Sequence, residues 1–389
     1  MHEKNPGPLP IPNRENMIMN APSKTPPFRA EHVGSLLRPR YLKDAFRGHS
    51  EGKIDDSQLR EIQDRAVREA ISLQEDVGLK SITDGEFRRP SWFGGFVSAV
   101  QGLTVKSALF NFESEAGSSA GWSTAYVEGR LRRDKPIVCD EYTFLKAGTR
   151  QTAKVTMPTP SIVHFFRGRE AVDPAVYPDM DVFWNDLAQV YRDEIAALGK
   201  LGCTYLQLDE VACAVLCDPN VRSFVATHGL NADQLLDRYV GMINSVIAGR
   251  PAGMTVGVHF CRGNYKGQWM ASGGYEPIAE AVFARLEADA LFLEYDSDRA
   301  GGFEPLRHVR SGTRVVLGLV SSKAPHMERI DELRARIDEA ARFLPLDRLS
   351  ISPQCGFASS IGGNPLTEAD QRAKLKLVVD TAKAVWGTA

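Results

Sequence analysis

Short apolar runs alternate with longer amphipathic stretches along most of this chain. Eight runs stand out, at 30–35, 80–83, 153–157, 204–208, 255–259, 290–294, 314–319 and 348–352. Several are β-rich and apolar at nearly every position, the pattern of parallel strands covered by helices. Between most of them lie candidate helices, at 56–77, 181–201, 232–248, 276–287 and 327–343. In the last, Ile330, Leu333, Ile337 and Ala341 follow the three/four spacing of a core-facing stripe. Strand–helix alternation predicts the α/β class, and eight units predict a (β/α)8 TIM barrel. The stretch from 86 to 153 is too irregular for one plain unit, so an insertion is expected after the second strand. Within it, 107–123 is rich in Ser, Gly and Ala and reads as a long surface loop. Residues 1–28 hold seven prolines and little periodicity, which predicts an irregular arm. The barrel is then expected to occupy 29–389.

Polar or reactive residues gather at the C-terminal ends of the runs. They are Gly34-Ser35, Asp84-Gly85-Glu86, Asp209-Glu210, His259-Phe260-Cys261, Glu294-Tyr295-Asp296, Ser321-Ser322-Lys323 and Gln354-Cys355. In a barrel this is the face on which sites are built.

Composition narrows the classes of function. With 43% hydrophobic and 25% charged residues and a net charge of −2, the chain has material for a large core. It lacks the basic surface that nucleic acid requires. No apolar run approaches the ~20 residues of a spanning helix, and the N-terminal region has no apolar core of a signal peptide. Neither nucleic acid nor membrane is expected as a partner, and a cytoplasmic location follows. Six cysteines are too few for a disulfide scaffold. Cys139, Cys203, Cys213 and Cys217 lie in or beside apolar segments and read as core thiols.

Cys261 and Cys355 are different. His259 and Cys261 are two apart at a strand end, so both side chains point the same way. Imidazole nitrogen and thiolate sulfur are ligands that zinc favours. The pair alone also fits a backbone-satisfied histidine beside a buried thiol. Glu294 and Cys355 lie 33 and 94 residues beyond Cys261, again at strand ends. A barrel would bring all four to one mouth. Pro353 and Gly356 flank Cys355 in what reads as a stiff, sharply turned loop. A carboxylate after Leu291-Phe292-Leu293 is costly to bury without a partner.

From residue 29 to about 379 the chain resembles the cobalamin-independent methionine synthase family, in its C-terminal catalytic barrel and short, single-barrel form. The resemblance rests on Glu31-His32-Val33-Gly34-Ser35, Asp84-Gly85-Glu86-Phe87-Arg88, Leu208-Asp209-Glu210, His259-Phe260-Cys261, Leu293-Glu294 and Pro353-Gln354-Cys355-Gly356, in family order. It implies a (β/α)8 fold and a zinc ion ligated by His259, Cys261, Glu294 and Cys355. It also implies an amino acid substrate held by Ser35, Glu86 and Asp209; backbone N–H groups around Gly34-Ser35 would suit the carboxylate of such a substrate. The implied reaction moves a methyl group from methyltetrahydrofolate, or a related donor, to the thiolate of homocysteine.

Two positions depart from the family's long form. His164 follows Met157-Pro158-Thr159-Pro160, where that form has a pterin-stacking tryptophan. Lys323 stands where it has a histidine that assists proton transfer. Both, with Glu210, are candidates for donor binding or catalysis. Two other readings stay open: zinc-dependent alkylation of another small thiol, as in epoxyalkane–coenzyme M transferases, and a metal-free barrel like uroporphyrinogen decarboxylase. Either a monomer or a homodimer fits the sequence.

Overall fold

The structure is a computed structural model that describes residues 25–109, 112–113, 119–120 and 122–389. Most of the proline-rich arm lies outside the described residues. Its last residues are tied to the barrel: the Pro27 carbonyl accepts from Arg314 Nη1 at 2.7 Å, and Phe28 N–H donates to Glu31 Oε1 at 2.9 Å.

The eight apolar runs line up side by side in chain order. Six form one parallel sheet: Val155–Pro158, Tyr205–Glu210, Thr255–Phe260, Ala290–Glu294, Arg314–Val320 and Leu349–Pro353. On one side, Thr152–Ala153 runs directly into Val155–Pro158 and pairs in parallel with Ser81–Ile82. On the other, Ala30 forms a parallel bridge with Ile351, flanked by two backbone hydrogen bonds of 2.9 Å. The ends of this row meet between the first two runs. There Leu36 N–H donates to the Gly85 carbonyl at 3.1 Å, and Thr83 Oγ1 to the Gly34 carbonyl at 2.7 Å. The predicted (β/α)8 TIM barrel is thus the architecture, with isolated backbone and side-chain hydrogen bonds rather than a strand ladder between the first two runs.

Outside the strands, Asp56–Val77 forms as predicted, opened by an Asp55–Gln58 capping box and closed by Gly78 at φ 97°. Met180–Lys200 and Ala232–Ile247 follow closely. The helix expected at 276–287 ends at Val282. Asn244 from the neighbouring helix takes the Arg285 carbonyl and the Glu287 N–H, which draws the chain off its axis. The helix expected at 327–343 is Ile330–Ala340, because Glu328 is drawn back to Ser321 N–H and Lys374. The expected insertion contains a short helix Gly94–Ala99, the antiparallel strands Gln101–Ser107 and Ser123–Arg132, and the helix Cys139–Gly148. The loop expected at 107–123 is the tip of that hairpin, much of it outside the described residues. Its end residues Ser107 and Ser123 pair with each other, so the strands reach further than composition suggested. No helix among the described residues is long and apolar enough to cross a membrane.

Period-two alternation sorts the strand side chains. Leu206, Leu208, Val256, Val258, Leu291, Leu293, Val315 and Leu317 face outward into the main core. Tyr205, Ala290, Phe292 and Val316 form a separate apolar cluster inside the barrel. Deeper polar groups share that interior. Fully buried Lys154 donates to Glu31 Oε2 and Gln207 Oε1, each at 3.3 Å, and to the His32 carbonyl. Glu31 also accepts from Ser81 Oγ at 2.8 Å and Tyr205 OH at 3.1 Å.

Candidate active site

At the C-terminal ends of the strands, alternation delivers His259, Cys261 and Glu294 to the interior. Phe292 is in register with His259 and Leu293 with Phe260, so Glu294 falls beside Cys261. Cys355 arrives differently, beyond its strand and after a register shift between Gly318 and Val320. Gln354 N–H donates to the Val320 carbonyl at 2.7 Å. A Cβ on Gly318 would stand 2.8 Å from Gln354 Cα and 2.9 Å from the Leu293 carbonyl oxygen. Glycine at 318 therefore permits the close approach that turns Cys355 inward.

One nitrogen, two sulfurs and one carboxylate oxygen from these four buried residues lie within 4.8 Å of one another. The two sulfurs are 3.5 Å apart. Neither ring nitrogen of His259 has a hydrogen-bond partner, nor does Glu294 Oε2. Orphaned buried polar atoms are costly, and a cation would satisfy one ring nitrogen and Glu294 Oε2 at once. The donor set is one that zinc favours. Groups in the cluster also shift one another's proton affinities. Cys355 beside it, reinforced by burial, holds the Cys261 thiol well above its usual range. Burial opposes the charged form of His259, but Cys261, Asp209 and Glu294 outweigh it and raise the imidazole. Burial likewise opposes ionisation of Glu294, yet Lys323, Arg262 and Arg299 bring it below the usual carboxylate range.

Beside the cluster opens a cleft. Ser35, Glu86 and Asp209 line it together with His259, Cys261 and Cys355. Glu86 is set by the Asp84-Gly85-Glu86 turn, where Gly85 and Glu86 have φ of 69° and 60°. A glutamate in that left-handed conformation is strained, and Asp84 Oδ1 secures it by accepting Glu86 N–H at 2.9 Å. Glu86 Oε1 takes the Thr156 hydroxyl at 2.8 Å, while Oε2 has no partner. Gly34, at φ +142°, supports rather than lines the cleft: a Cβ there would stand 2.7 Å from Thr156 Cγ2 and 3.3 Å from Glu86 Oε1. Asp209 Oδ1 accepts from Gln207 Nε2 at 2.8 Å. Burial, with Glu86 adding to it and His259 opposing, pushes the Asp209 carboxyl up to about 6.

The three other candidates do not line the cleft. Glu210 is on the outward phase of its strand and accepts from Thr159 Oγ1, Ser161 Oγ and Cys213 N–H at 2.6, 2.8 and 2.7 Å. His164 is buried outside the cleft, its Nδ1 2.8 Å from Tyr239 OH and its ring 5.1 Å from that of Trp184. Lys323 stands beside the cluster, donating to the Gly263 carbonyl at 3.0 Å. Sequence reasoning missed the cleft's aromatic wall of Trp92, Trp122 and Phe166, in which Trp122 and Phe166 meet edge-on at 4.6 Å. The available signal was a tryptophan at the end of a Ser/Gly/Ala-rich segment, an odd place for a large apolar ring. It also missed Asn264, whose Nδ2 donates to the Gly356 carbonyl at 2.9 Å while its Oδ1 stays unpaired.

Comparison with known proteins gives a consistent result. Residues 30–384 match the family model described as the cobalamin-independent synthase catalytic domain. Protein YxjG of Bacillus subtilis, itself uncharacterized, is 40% identical over 368 residues, covering 93% of this chain and 96% of the relative. A methionine synthase of Pyrococcus abyssi is 26% identical over 91% of this chain and 90% of its own length. Among solved structures, a Listeria monocytogenes chain assigned as a vitamin-B12-independent methionine synthase superposes with a TM-score of 0.74. It is 33% identical and is matched over 94% of this chain and 100% of its own. By these matches the chain belongs to the cobalamin-independent synthase family and carries its catalytic domain.

Proposed function

We propose that this chain is a zinc-dependent methyltransferase acting on the sulfur of homocysteine, with methyltetrahydrofolate or a related methyl carrier as donor and methionine as product. One observation carries the reading. Four soft and hard donor groups converge with unpaired atoms at the base of a cleft, and the acidic groups Glu86 and Asp209 line the same cleft. The methionine synthase relatives support the same reaction class. The reading treats residues 29–389 as a single catalytic barrel. It also sets the protein in the cytoplasm, where its six free cysteines would stay reduced.

His259, Cys261, Glu294 and Cys355 would hold the metal. Zinc, when bound, supplies the Lewis acidity that lets a substrate thiol ionise at neutral pH. The chain's own residues do the aiming. Glu86 Oε2 and the Asp209 carboxylate would accept the ammonium of the amino acid in charge-assisted hydrogen bonds. Ser35 stands where its hydroxyl and neighbouring backbone N–H groups would take the carboxylate. A Cβ on Gly356 would lie 1.9 Å from Ser35 Oγ, so glycine there keeps that hydroxyl accessible. Gripping both ends of the amino acid fixes the direction of its sulfur, an orientation effect that lowers the barrier. The ring faces of Trp92, Trp122 and Phe166 offer the donor an apolar wall and exclude water from the reacting atoms.

The test is direct. Metal-stripped and zinc-reloaded protein would be incubated with homocysteine and, in separate arms, methyltetrahydrofolate, its polyglutamate or methylcobalamin, and methionine quantified. Methionine should form only with the reloaded protein and in at least one donor arm. Equal formation by the stripped protein would sink the metal-dependent reading.

A further inference from the structure

Glu294 is held by a device that the proposed chemistry does not by itself require. Its backbone N–H donates to Tyr275 OH at 2.9 Å, and its carbonyl accepts from Arg262 Nη1 at 3.3 Å. The two gripping side chains are stacked on each other, with the Arg262 guanidinium 3.8 Å from the centre of the Tyr275 ring. All three residues are fully buried. Arg262 also uses its own backbone N–H, which donates to Glu294 Oε1 at 3.2 Å.

The arrangement is unusual in what the arginine leaves undone. A buried guanidinium beside a carboxylate normally forks onto both of its oxygens. Here Arg262 Nη1 stands 3.8 Å from Glu294 Oε2, beyond hydrogen-bonding distance, and spends its hydrogen bond on the backbone carbonyl. Its positive charge lies beside the carboxylate. Oε2 is nevertheless left bare and belongs to the cluster with His259, Cys261 and Cys355. Lys323 reaches the neighbouring loop instead, where its ammonium donates to the Gly263 carbonyl.

We infer that the stacked Arg262–Tyr275 pair is a positioning clamp for metal binding: it fixes Glu294 at both backbone polar groups and keeps one carboxylate oxygen free for the cation. The inference rests on the metal reading above and names residues outside the ligand set. It requires planarity as well as charge, because only a flat guanidinium can lie on the ring and reach the carbonyl together. Arg262 and Tyr275 therefore act as one unit through Glu294 and touch neither substrate.

The experiment measures zinc affinity by chelator competition and the visible ligand-field bands of the cobalt(II)-substituted protein. It compares the wild-type chain with Arg262→Lys, Tyr275→Phe and the double variant, and circular dichroism of the metal-free proteins checks folding. Each single variant should weaken zinc binding by about 10- to 100-fold, the range for outer-shell partners of metal ligands. Each should also shift the cobalt bands, and lysine should not rescue. The double variant should be no weaker than the worse single one, because either change releases one backbone end of Glu294 and the clamp needs both. Wild-type affinity and spectrum in Arg262→Lys would overturn the clamp, and so would losses that multiply in the double variant. Tyr275→Phe keeps the ring and the packing, so it decides the matter even if an arginine variant misfolds. Failure of the metal reading looks different: the wild-type chain itself would then bind no stoichiometric zinc or cobalt.

Discussion

The barrel of this protein holds two buried polar clusters, and they are finished in opposite ways. Deep inside, Lys154 and Glu31 are both fully buried, and their charged atoms are surrounded by partners from Ser81, Tyr205, Gln207, Phe28 and His32. At the mouth, His259, Glu294 and Glu86 are equally buried but keep polar atoms with no partner. Burial and charge do not separate the two; saturation does. Lys154 and Glu31, whose own charged atoms are all partnered, are complete as folded, whereas the orphaned atoms of His259, Glu294 and Glu86 call for a ligand. The inner cluster is therefore read as structural and the mouth as functional.

Substitutions can break that comparison from either side. The largest effect should come from Cys261→Ala or Cys355→Ala, each expected to abolish zinc retention and reduce methyl transfer to background. Metal analysis and a turnover assay check this, and far-UV circular dichroism should show the barrel still folded. Lys154→Met should do the reverse. Removing one partner of a buried ion pair costs about 3–5 kcal/mol, so denaturant unfolding should show a large loss of stability while zinc content stays at the wild-type level. If Lys154→Met lost its metal in the folded state, the two clusters would not be separable.

Glu86→Gln should have a smaller and more selective effect, raising KM for the amino acid by about 10- to 100-fold through loss of a charge-assisted contact of roughly 1.5–3 kcal/mol. Metal content should not change. Asp209 adds a pH signature to the same contact. Burial raises its carboxyl from the ordinary 3.8 to about 6, so the group carries its charge only above that pH. Ammonium capture should weaken as pH falls through about 6, seen as a several-fold rise in KM between pH 7.5 and 5.5 that Asp209→Asn lacks. For stability the sign is opposite: the folded state holds this proton longer than the unfolded chain, so Asp209 favours folding at low pH and less so as pH rises through 6. The smallest effect is expected from His164→Leu. It gives up one buried hydrogen bond to Tyr239, worth about 1 kcal/mol, and should leave KM for the methyl donor within about twofold.

Much of this was legible in the sequence, because strand periodicity carries both the fold and half the site. All eight apolar runs lie on the barrel's row of strands, and His259 and Cys261 share a phase that puts them on one side. The same rule, applied more strictly, separates Asp209 from Glu210, since adjacent residues on a strand face opposite ways. Grouping them by their position at a strand end missed this. Cys355 was reachable through its turn residues and the family resemblance, but not through phase, because the register shift near Gly318 resets the alternation before it. His164 and the Trp92–Trp122–Phe166 wall were not legible. Trp92 and Trp122 lie in the irregular insertion after the second strand, whereas His164 and Phe166 follow the strand Val155–Pro158, and no local pattern encodes how these segments meet. The Arg262–Tyr275 stack was hidden for a related reason, as its partners come from two loops and a strand end.

X-ray absorption at the zinc edge of the reloaded protein tests the central claim most directly. The account predicts one zinc per chain with two sulfur neighbours at about 2.3 Å and nitrogen or oxygen neighbours at about 2.0–2.2 Å, and loss of one sulfur or of the metal in Cys355→Ala. A shell made only of oxygen and nitrogen, unchanged by that substitution, would contradict it.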